Sequence, residues 1–380
     1  MLDLWYNNGL EYVYHPRYIG GISIMTHTND GRMPLHHTDR RKTLWFIVLF
    51  IMIAAAGLTY VKWWPYYNKA LKAIVDHSIG SSILNFQPDN TLPSWQAAWD
   101  YAVTYFKAVW KAAVLGILLG SLVQSLLPQG WLLRVLGKSS FGSTAIGGLA
   151  SIPGMMCSCC AAPIAVGLRK KKVSVGSALA FWIGNPTINP ATLVFMTFVL
   201  SWKFTLLRLV FGILLTFGVS YLANRISKEA APVEIDAAEQ PDEIDPRPLW
   251  KRWMSSIADM VIRVVPSYFI AVLLLGALQV WMFPQLGEAA GGGILAIMFF
   301  ALMGMLFVIP TAAEIPIIQA FMAAGLGTGP AAALLLTLPA ISLPSLFMVR
   351  RSFPRKVLWF VAGSVVILGI VCGLAGKLFL

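Results

Sequence analysis

Long apolar runs, separated by short charged segments, dominate the pattern of this chain. Runs of about 20 residues are long enough to cross a bilayer as helices, and Lys and Arg concentrate in the gaps between the runs. The pattern predicts seven full spans, at 44–61, 101–127, 173–200, 204–223, 257–282, 329–349 and 357–379. The fold class predicted is therefore an all-α polytopic membrane protein in contact with the lipid bilayer.

Two further apolar segments are interrupted by proline and are predicted to form re-entrant hairpins. Residues 140–168 have basic segments on both sides, so this hairpin is expected to enter from the cytoplasm. Residues 293–326 have no basic flanks and are expected to enter from outside. The proline candidates for helix breaks are Pro153, Pro163, Pro186, Pro190, Pro310 and Pro316.

The order of span, hairpin, broken span and span occurs twice along the chain. An offset of 153 residues places Pro163 on Pro316, Gly176 on Gly329 and Pro186 on Pro339. The basic flanks give the two copies opposite orientations, which predicts an inverted repeat plus one extra N-terminal span. In such transporters the solute site lies near the midplane, where broken helices meet, because non-helical backbone is tolerated there only if it is buried or lines a cavity.

These patterns divide the chain into five segments. They are a cytoplasmic tail (1–43), a first span with an external loop (44–98), permease repeat 1 (99–223), an acidic cytoplasmic linker (224–256) and permease repeat 2 (257–380). The tail contains His27, His36 and His37, for which metal binding is weaker than the alternatives of a disordered tail or a later start at Met25 or Met33. The predicted location is a bacterial inner membrane, with the N-terminus in the cytoplasm.

Composition and charge support the membrane class and exclude several others. Hydrophobic residues make up 57% of the chain and charged residues 12%, against roughly 25% charged residues in soluble domains. The net charge of +12 belongs to the flanks of the spans, so nucleic acid is not predicted as a partner. No Walker A pattern occurs, which excludes ATP hydrolysis by that route, and no cofactor and no enzymatic activity are predicted.

Three of the four cysteines lie in Cys157-Ser158-Cys159-Cys160, directly after Met155 and Met156. Thiolates and thioethers are the ligands that soft centres prefer. A trivalent arsenic with one carbon substituent has two exchangeable positions, so two or three thiols would hold it. The alternative is that these cysteines are small packing residues between close helices, as we expect for Cys372 in the last span.

Two Asn-Pro pairs interrupt the span that follows the cysteines, at Asn185-Pro186 and Asn189-Pro190. Proline lacks a backbone donor and breaks a helix interior. The two amides are four residues apart and would share a face if they were helical. Two roles stay open for them: capping of the broken helix ends and contact with the solute.

Glu314 is the one carboxylate deep within a hydrophobic segment, and it has no basic residue within four positions. An ionisable group inside a membrane segment is by default a functional candidate, and burial favours the protonated acid. Glu314 is therefore the candidate for proton coupling, and the alternative is a protonated structural acid. Asp259, near the start of its span, is spaced for a local ion pair with Arg263.

The segment Ile152-Pro153-Gly154-Met155-Met156-Cys157-Ser158-Cys159-Cys160-Ala161-Ala162-Pro163, followed by Pro186 and Asn189-Pro190, resembles the predicted permeases of the ArsP type. The resemblance covers about residues 100–380 and is strongest over 150–195, so the tail and first span lie outside it. It implies a bacterial inner-membrane protein. It also implies export of trivalent organoarsenicals such as methylarsenite, which is the activity of characterised members. It also implies that Cys157, Cys159 and Cys160 form the thiol site. Cys160 stands where many relatives of the broader family have Gly, and a third thiol favours a trivalent arsenic or another soft metal over the other solutes of the wider group.

Together these features predict a secondary efflux transporter of trivalent organoarsenicals, coupled to protons and serving metal resistance. A first alternative is an exporter of a soft metal such as Cu(I) or Zn(II), with the same three cysteines as ligands. A second alternative is a membrane thiol oxidoreductase using Cys159 and Cys160, and a third is a passive channel or scaffold. The partner expected in each transport case is a small thiophilic solute, and an oligomer is left open.

Overall fold

The computed structural model describes residues 40–84, 94–227, 248–283 and 293–380, and these residues fold into sixteen α-helices without a strand. The all-helical prediction is thereby confirmed. The histidines of the tail and most of the acidic linker lie outside the described residues. The helices on either side of the linker end at Ser227 and begin at Leu249, closer together than the predicted limits of 224 and 256.

The first helix is longer than the predicted span of 44–61. Helix α1 (Arg40–Leu58) continues through a π-helical turn (Thr59–Trp63) into α2 (Trp64–Asp76). The aromatic residues Trp63, Trp64, Tyr66 and Tyr67, expected at the start of an external loop with some amphipathic helix, therefore belong to a helix that continues to Asp76. Pro65 has no backbone N–H to donate, and the wider π turn just before it accommodates the missing bond.

The first half of the remaining chain contains long helices at its two ends and short ones between them. The helices are α3 (Trp95–Leu126), α4 (Gln129–Leu136), α5 (Phe141–Ser151), α6 (Ser158–Lys170), α7 (Val175–Thr187), α8 (Pro190–Val199), α9 (Trp202–Ile213) and α10 (Ser220–Ser227). A π-helical segment, Leu214–Val219, joins α9 and α10 into one long helix.

The second half repeats this order with fewer elements. Its helices are α11 (Leu249–Met282), α12 (Ile294–Leu306), α13 (Glu314–Ala323), α14 (Thr328–Ala340), α15 (Leu343–Val349) and α16 (Arg355–Phe379). The offset of 153 residues that was read from the prolines relates both ends of α7 to both ends of α14. The opposite orientation of the halves stays a prediction.

Among the described residues, six helical stretches are long and apolar enough to cross a membrane. They are Thr43–Asp76, Trp95–Leu126, Trp202–Ser227, Leu249–Met282, Thr328–Val349 and Arg355–Phe379. The one predicted span that is missing from these six, residues 173–200, consists of α7 and α8, which are 13 and 10 residues long. Its two Asn-Pro pairs end one helix and start the next, so this span is broken near its middle.

Both predicted hairpins consist of helices that are too short to cross alone. The arms have 11 and 13 residues in the first hairpin and 13 and 10 in the second, about half of what a full crossing requires. A left-handed residue, Met155 (φ 48) or Ala312 (φ 70), lies in the non-helical tip of each. Non-glycine residues in this conformation are strained and are concentrated at functional sites.

Three of the six predicted proline breaks lie within helices. Pro163 lies inside α6, Pro316 lies in the first turn of α13, and Pro186 lies one residue before the end of α7, where the span does break. A first-turn proline removes an N–H that has no helical acceptor anyway, which explains Pro316. The hairpin helices stop at tips that contain Pro153, within a short 3-10 turn (Ile152–Gly154), and Pro310, while Pro190 opens α8.

Small residues bring the hairpin arm α6 close to α3. A Cβ atom on Gly116 would lie 2.2 Å from the carbonyl oxygen of Cys160, and one on Gly120 would lie 2.6 Å from that of Pro163. The two glycines have the Gly-x-x-x-Gly spacing that lets membrane helices approach backbone to backbone. This contact places the cysteine segment against α3.

Candidate solute site

Two of the three clustered thiols meet at the start of α6. Cys157 has an extended backbone and occupies the N-cap position of α6. Its Sγ lies 2.8 Å from the Sγ of Cys160, one turn later. Both side chains are buried. The left-handed Met155 turns the chain so that Cys157 and the buried Met156 precede the helix. The two sulfur atoms thus form a preorganised pair at the positive end of a helix.

The third thiol faces a different environment. The Sγ of Cys159 lies 3.3 Å from Ser342 Oγ and contacts the hydroxyl groups of Tyr105 and Tyr268. Among the residues that the structure describes, no three or more His, Cys, Asp or Glu side chains are grouped closely enough to hold a metal ion. The geometry therefore presents a pair of thiols, with Cys159 linked to the second half through Ser342. Cys372 is buried elsewhere and contacts the carbonyl of Ala332.

The two asparagines of the broken span act on the backbone. Asn189 caps α8, because its Oδ1 accepts from the N–H groups of Ala191 and Thr192 at 3.0 and 3.3 Å. Asn185 Oδ1 accepts from the N–H of Met156 at 3.4 Å and so connects α7 to the tip of the first hairpin. Both contacts are with backbone N–H groups, so they correspond to the first of the two roles left open above, the capping of broken helix ends.

Glu314 is paired, contrary to what its sequence neighbours indicate. Its Oε1 lies 2.6 Å from Nη1 of Arg208, and both side chains are 1% exposed. The same guanidinium donates to the carbonyls of Pro186 and Thr187 at 2.6 and 3.3 Å. Arg208 thus joins the break in the first half to the start of α13 in the second half.

A cavity of about 10 Å³ lies between these elements, lined by Cys157, Pro186, Thr192, Ile309, Pro310, Thr311, Ala312, Glu314 and Pro339. This volume is about that needed for one water molecule. Two buried oxygen atoms of its lining, Glu314 Oε2 and Thr192 Oγ1, have no hydrogen-bond partner among the described residues. Buried polar atoms are nearly always satisfied, so such atoms indicate a place where a ligand, a water molecule or a proton binds.

The first helix also reaches the site. Lys62 Nζ lies 3.0 Å from the hydroxyl of Tyr66 and 3.1 Å from that of Thr311 in the second hairpin. Trp63 Nε1 donates to the carbonyl of Pro153 at the tip of the first hairpin, at 2.9 Å. One turn of this helix therefore contacts both hairpin tips.

Sequence reasoning missed Arg208 and Lys62, although a signal existed for each. Arg208 is a charge within the predicted span 204–223, and a charge in such a segment is rarely without function. Lys62 was assigned to a loop because of the aromatic residues beside it. Asp259 Oδ2 lies 2.9 Å from Lys170 Nζ, and its predicted ion pair with Arg263 stays a prediction, since the side chain of Arg263 is not among those described.

Half-length helices whose unwound tips converge with a broken span on a buried polar cavity define a membrane permease of the broken-helix kind. A family model described as a predicted permease, ArsP_1, matches residues 143–378, and the chain belongs to this family. The expected ArsP-type resemblance is thereby confirmed.

Two relatives show how far the similarity extends. The UPF0718 protein YraQ of Escherichia coli (strain K12) is 51% identical over 339 residues, which cover 88% of this chain and 96% of that protein. The UPF0718 protein MJ0584 of Methanocaldococcus jannaschii is 21% identical over 325 residues, covering 68% of this chain and 89% of that protein. No solved structure matches the chain.

Proposed function

We propose that this permease exports trivalent organoarsenicals of the methylarsenite type, with Cys157 and Cys160 as the arsenic ligands. The observation that carries the proposal is the buried sulfur pair, 2.8 Å apart, at the wall of the cavity. Two thiols match the two exchangeable positions of an arsenic that keeps one carbon substituent. Soft thiol ligands and an apolar surrounding favour such an uncharged solute over a hydrated ion.

Binding is a ligand exchange that needs no oxidant. Each thiol replaces one hydroxyl group on arsenic: an As–O bond breaks, an As–S bond forms, and the thiol proton leaves with the hydroxyl as water. Two exchanges release two water molecules and leave arsenic(III) bonded to carbon and two sulfur atoms. Hydrolysis reverses the exchange, so the same site is able to release the solute on the other side.

Transport requires the two halves to move. The cavity has room for about one water molecule, less than an alkylated arsenic needs, so the hairpin tips separate when solute enters. Alternating access in permeases with broken helices is largely the rocking of one half against the other around the site. Such a motion would break the contacts that Cys159 and Ser158 of the first half make with Ser342 of the second half.

A crevice of about 690 Å³ at the other end of α6 supports entry from the cytoplasm. Arg169, Lys170, Arg350 and Arg351 lie along it, together with the apolar side chains of Val166, Met260 and Phe347. Basic ends of spans face the cytoplasm. The same rule supports a cytoplasmic N-terminus if the protein lies in a bacterial inner membrane. Helix α6 rises about 20 Å over its 13 residues and leads from this crevice to the thiols.

Protons supply the energy through Glu314 in this proposal. The Arg208–Glu314 pair connects the two halves and is buried, so protonation of the carboxylate removes the charge that holds the guanidinium. The second carboxylate oxygen has no hydrogen-bond partner among the described residues, and Glu314 lines the cavity. A proton that arrives there loosens the contact between the halves and permits the outward movement.

Energised everted membrane vesicles test the thiol site through uptake of methylarsenite. We expect the Cys157→Ser/Cys160→Ser variant to lose uptake almost completely, since hydroxyl groups do not replace thiols as ligands for a soft centre. Cys372→Ser, a change at a buried thiol outside the site, is the matched control and should transport like the parent. Immunoblots establish that each protein is in the membrane.

Each other outcome has a definite meaning. Equal uptake by the parent and the double variant would reduce the pair to packing residues. Absence of uptake in all proteins that are present in the membrane would refute the organoarsenical assignment. In that case Cu(I) is the solute to examine, because Cu(I) accepts thiolate ligands and the sulfur pair offers two of them.

Glu314→Gln tests the proton step. The amide oxygen still accepts from Arg208, so the variant should fold and bind methylarsenite, yet a group that does not titrate cannot carry a proton. We expect uptake driven by an imposed pH gradient to fall to the level of a collapsed gradient. Transport equal to the parent across the same gradient would refute the role of Glu314 and leave the thiol site standing.

A further inference from the structure

The first helix contacts the protein in a way that a simple membrane anchor does not require. Only 6% of its most apolar stretch is buried, against 29–78% for the other five long helices. Large side chains such as Trp45, Met52 and Tyr60 are exposed on it. Lys62, in contrast, is 6% exposed. A peripheral helix thus buries its lysine next to the solute site.

Hydroxyl contacts link this lysine to the thiol pair. Thr311 accepts from the Lys62 ammonium at 3.1 Å and lines the cavity together with Cys157. The ammonium also interacts electrostatically with Cys157 and Cys160. The family match begins at residue 143, so Lys62 is added to the site from outside the range that the family model covers.

Among the described residues, the hydrogen-bond partners of Lys62 are two neutral hydroxyl groups, those of Tyr66 and Thr311, and the Tyr66 ring centroid lies 5.1 Å from the ammonium. An ammonium has three N–H donors, so one of them has no hydroxyl acceptor there. A buried charge is costly unless it is paired and hydrogen-bonded. Arg208 and Glu314, the other two buried charges at the site, are paired with each other. An electron-rich oxygen on the solute would supply the missing partner for the third N–H.

We propose that Lys62 is a specificity-determining residue of the thiol site, donating a hydrogen bond to an oxygen substituent on the thiophilic atom of the solute. This inference rests on the proposed function. It narrows the substrate class to trivalent centres that carry a hydroxyl or oxide oxygen as they arrive at the thiols. Soft centres without such an oxygen receive no help from Lys62.

The test compares two reactions of the same thiols in the purified full-length protein. The rate at which methylarsenite, whose arsenic carries hydroxyl groups on arrival, reacts with the thiols is followed by quenched time points with bound arsenic counted by mass spectrometry. Iodoacetamide, whose reacting carbon carries no oxygen, is followed by the rate of alkylation at Cys157. The variants are Lys62→Met, Lys62→Arg, and Lys72→Met as an exposed control on the same helix.

Lys62→Met is expected to slow the reaction of methylarsenite with the thiols about tenfold, the size of one hydrogen bond to a charged group that is lost as the solute arrives, and to change alkylation clearly less. Lys62→Arg should retain most of the reaction rate because it keeps the donor and the charge, and Lys72→Met should match the parent. The arginine variant also shows whether the fold survives a change at this buried position.

Three results overturn the inference and are distinguishable. An unchanged reaction rate of methylarsenite in Lys62→Met, with binding by the parent, removes the role of Lys62 and leaves the proposed function intact. An equal loss in both reactions shows that Lys62 acts on the thiols and not on the solute oxygen. Absence of binding by the parent refutes the proposed function, and the inference with it.

Discussion

Replacing Arg208 by methionine is expected to lower the free energy of unfolding by about 3–5 kcal/mol, the usual cost of removing one partner from a buried ion pair. The substitution leaves the Glu314 carboxylate buried at 1% exposure without its cation. It also removes the donor that the Pro186 and Thr187 carbonyls share at the break between α7 and α8. Methionine keeps most of the volume, so loss of packing contributes little.

Equilibrium unfolding in mixed micelles measures this effect. Arg134→Met is the matched control, since Arg134 is exposed and contacts a carbonyl of its own helix, and it should change stability little. The double variant Arg208→Met/Glu314→Gln should recover part of the loss, because the uncompensated charge is then gone. A stability of Arg208→Met equal to the parent would show that the pair does not hold the halves together.

Gly116→Ala is expected to disrupt the site although it adds only one carbon. The new Cβ would lie 2.2 Å from the carbonyl oxygen of Cys160, a backbone atom, so α3 and α6 must separate. Forcing extra volume into a packed interface typically costs about 1–3 kcal/mol, and sometimes more. Because the displaced atom belongs to Cys160, we expect methylarsenite binding to fall as well as stability.

Gly142→Ala is the control for this prediction. Gly142 lies in α5 of the same hairpin, and a Cβ atom there meets nothing within 4 Å. Exchange of glycine for alanine inside a helix is favourable by itself, so this variant should be as stable as the parent or more so. If Gly116→Ala unfolded and bound methylarsenite as the parent does, the close approach of α3 and α6 would have no part in forming the site.

Local features of the sequence were sufficient to predict the class of protein and much of the order of its helices. Spans such as 101–127 and 357–379 are predicted from their apolar length alone, and α3 and α16 confirm them. The repeat offset agrees with the bounds of α7 and α14 because proline restricts the backbone locally. The clustered cysteines were visible because three of them fall within four residues.

The errors came from judging proline and aromatic residues without their surroundings. Pro163 and Pro316 were expected at breaks and lie inside helices; Pro316 is in the first turn, where a proline disturbs few bonds. Trp63 was assigned, as part of an aromatic belt, to an external loop with some amphipathic helix. It lies instead in a helix that contacts both hairpins, where its indole N–H satisfies the carbonyl of Pro153.

By itself, the sequence determined the membrane-embedded helical class, the hairpin segments, the thiol cluster and the permease family. Each of these depends on composition or on neighbours within one or two helical turns. Only the tertiary structure decided that Cys159 faces Ser342, that Glu314 meets Arg208 across 106 residues, and that Lys62 reaches Thr311 across 249. These contacts join groups from separate helices, and their partners are selected by packing and by the cost of burying an unpaired charge, which no local pattern encodes.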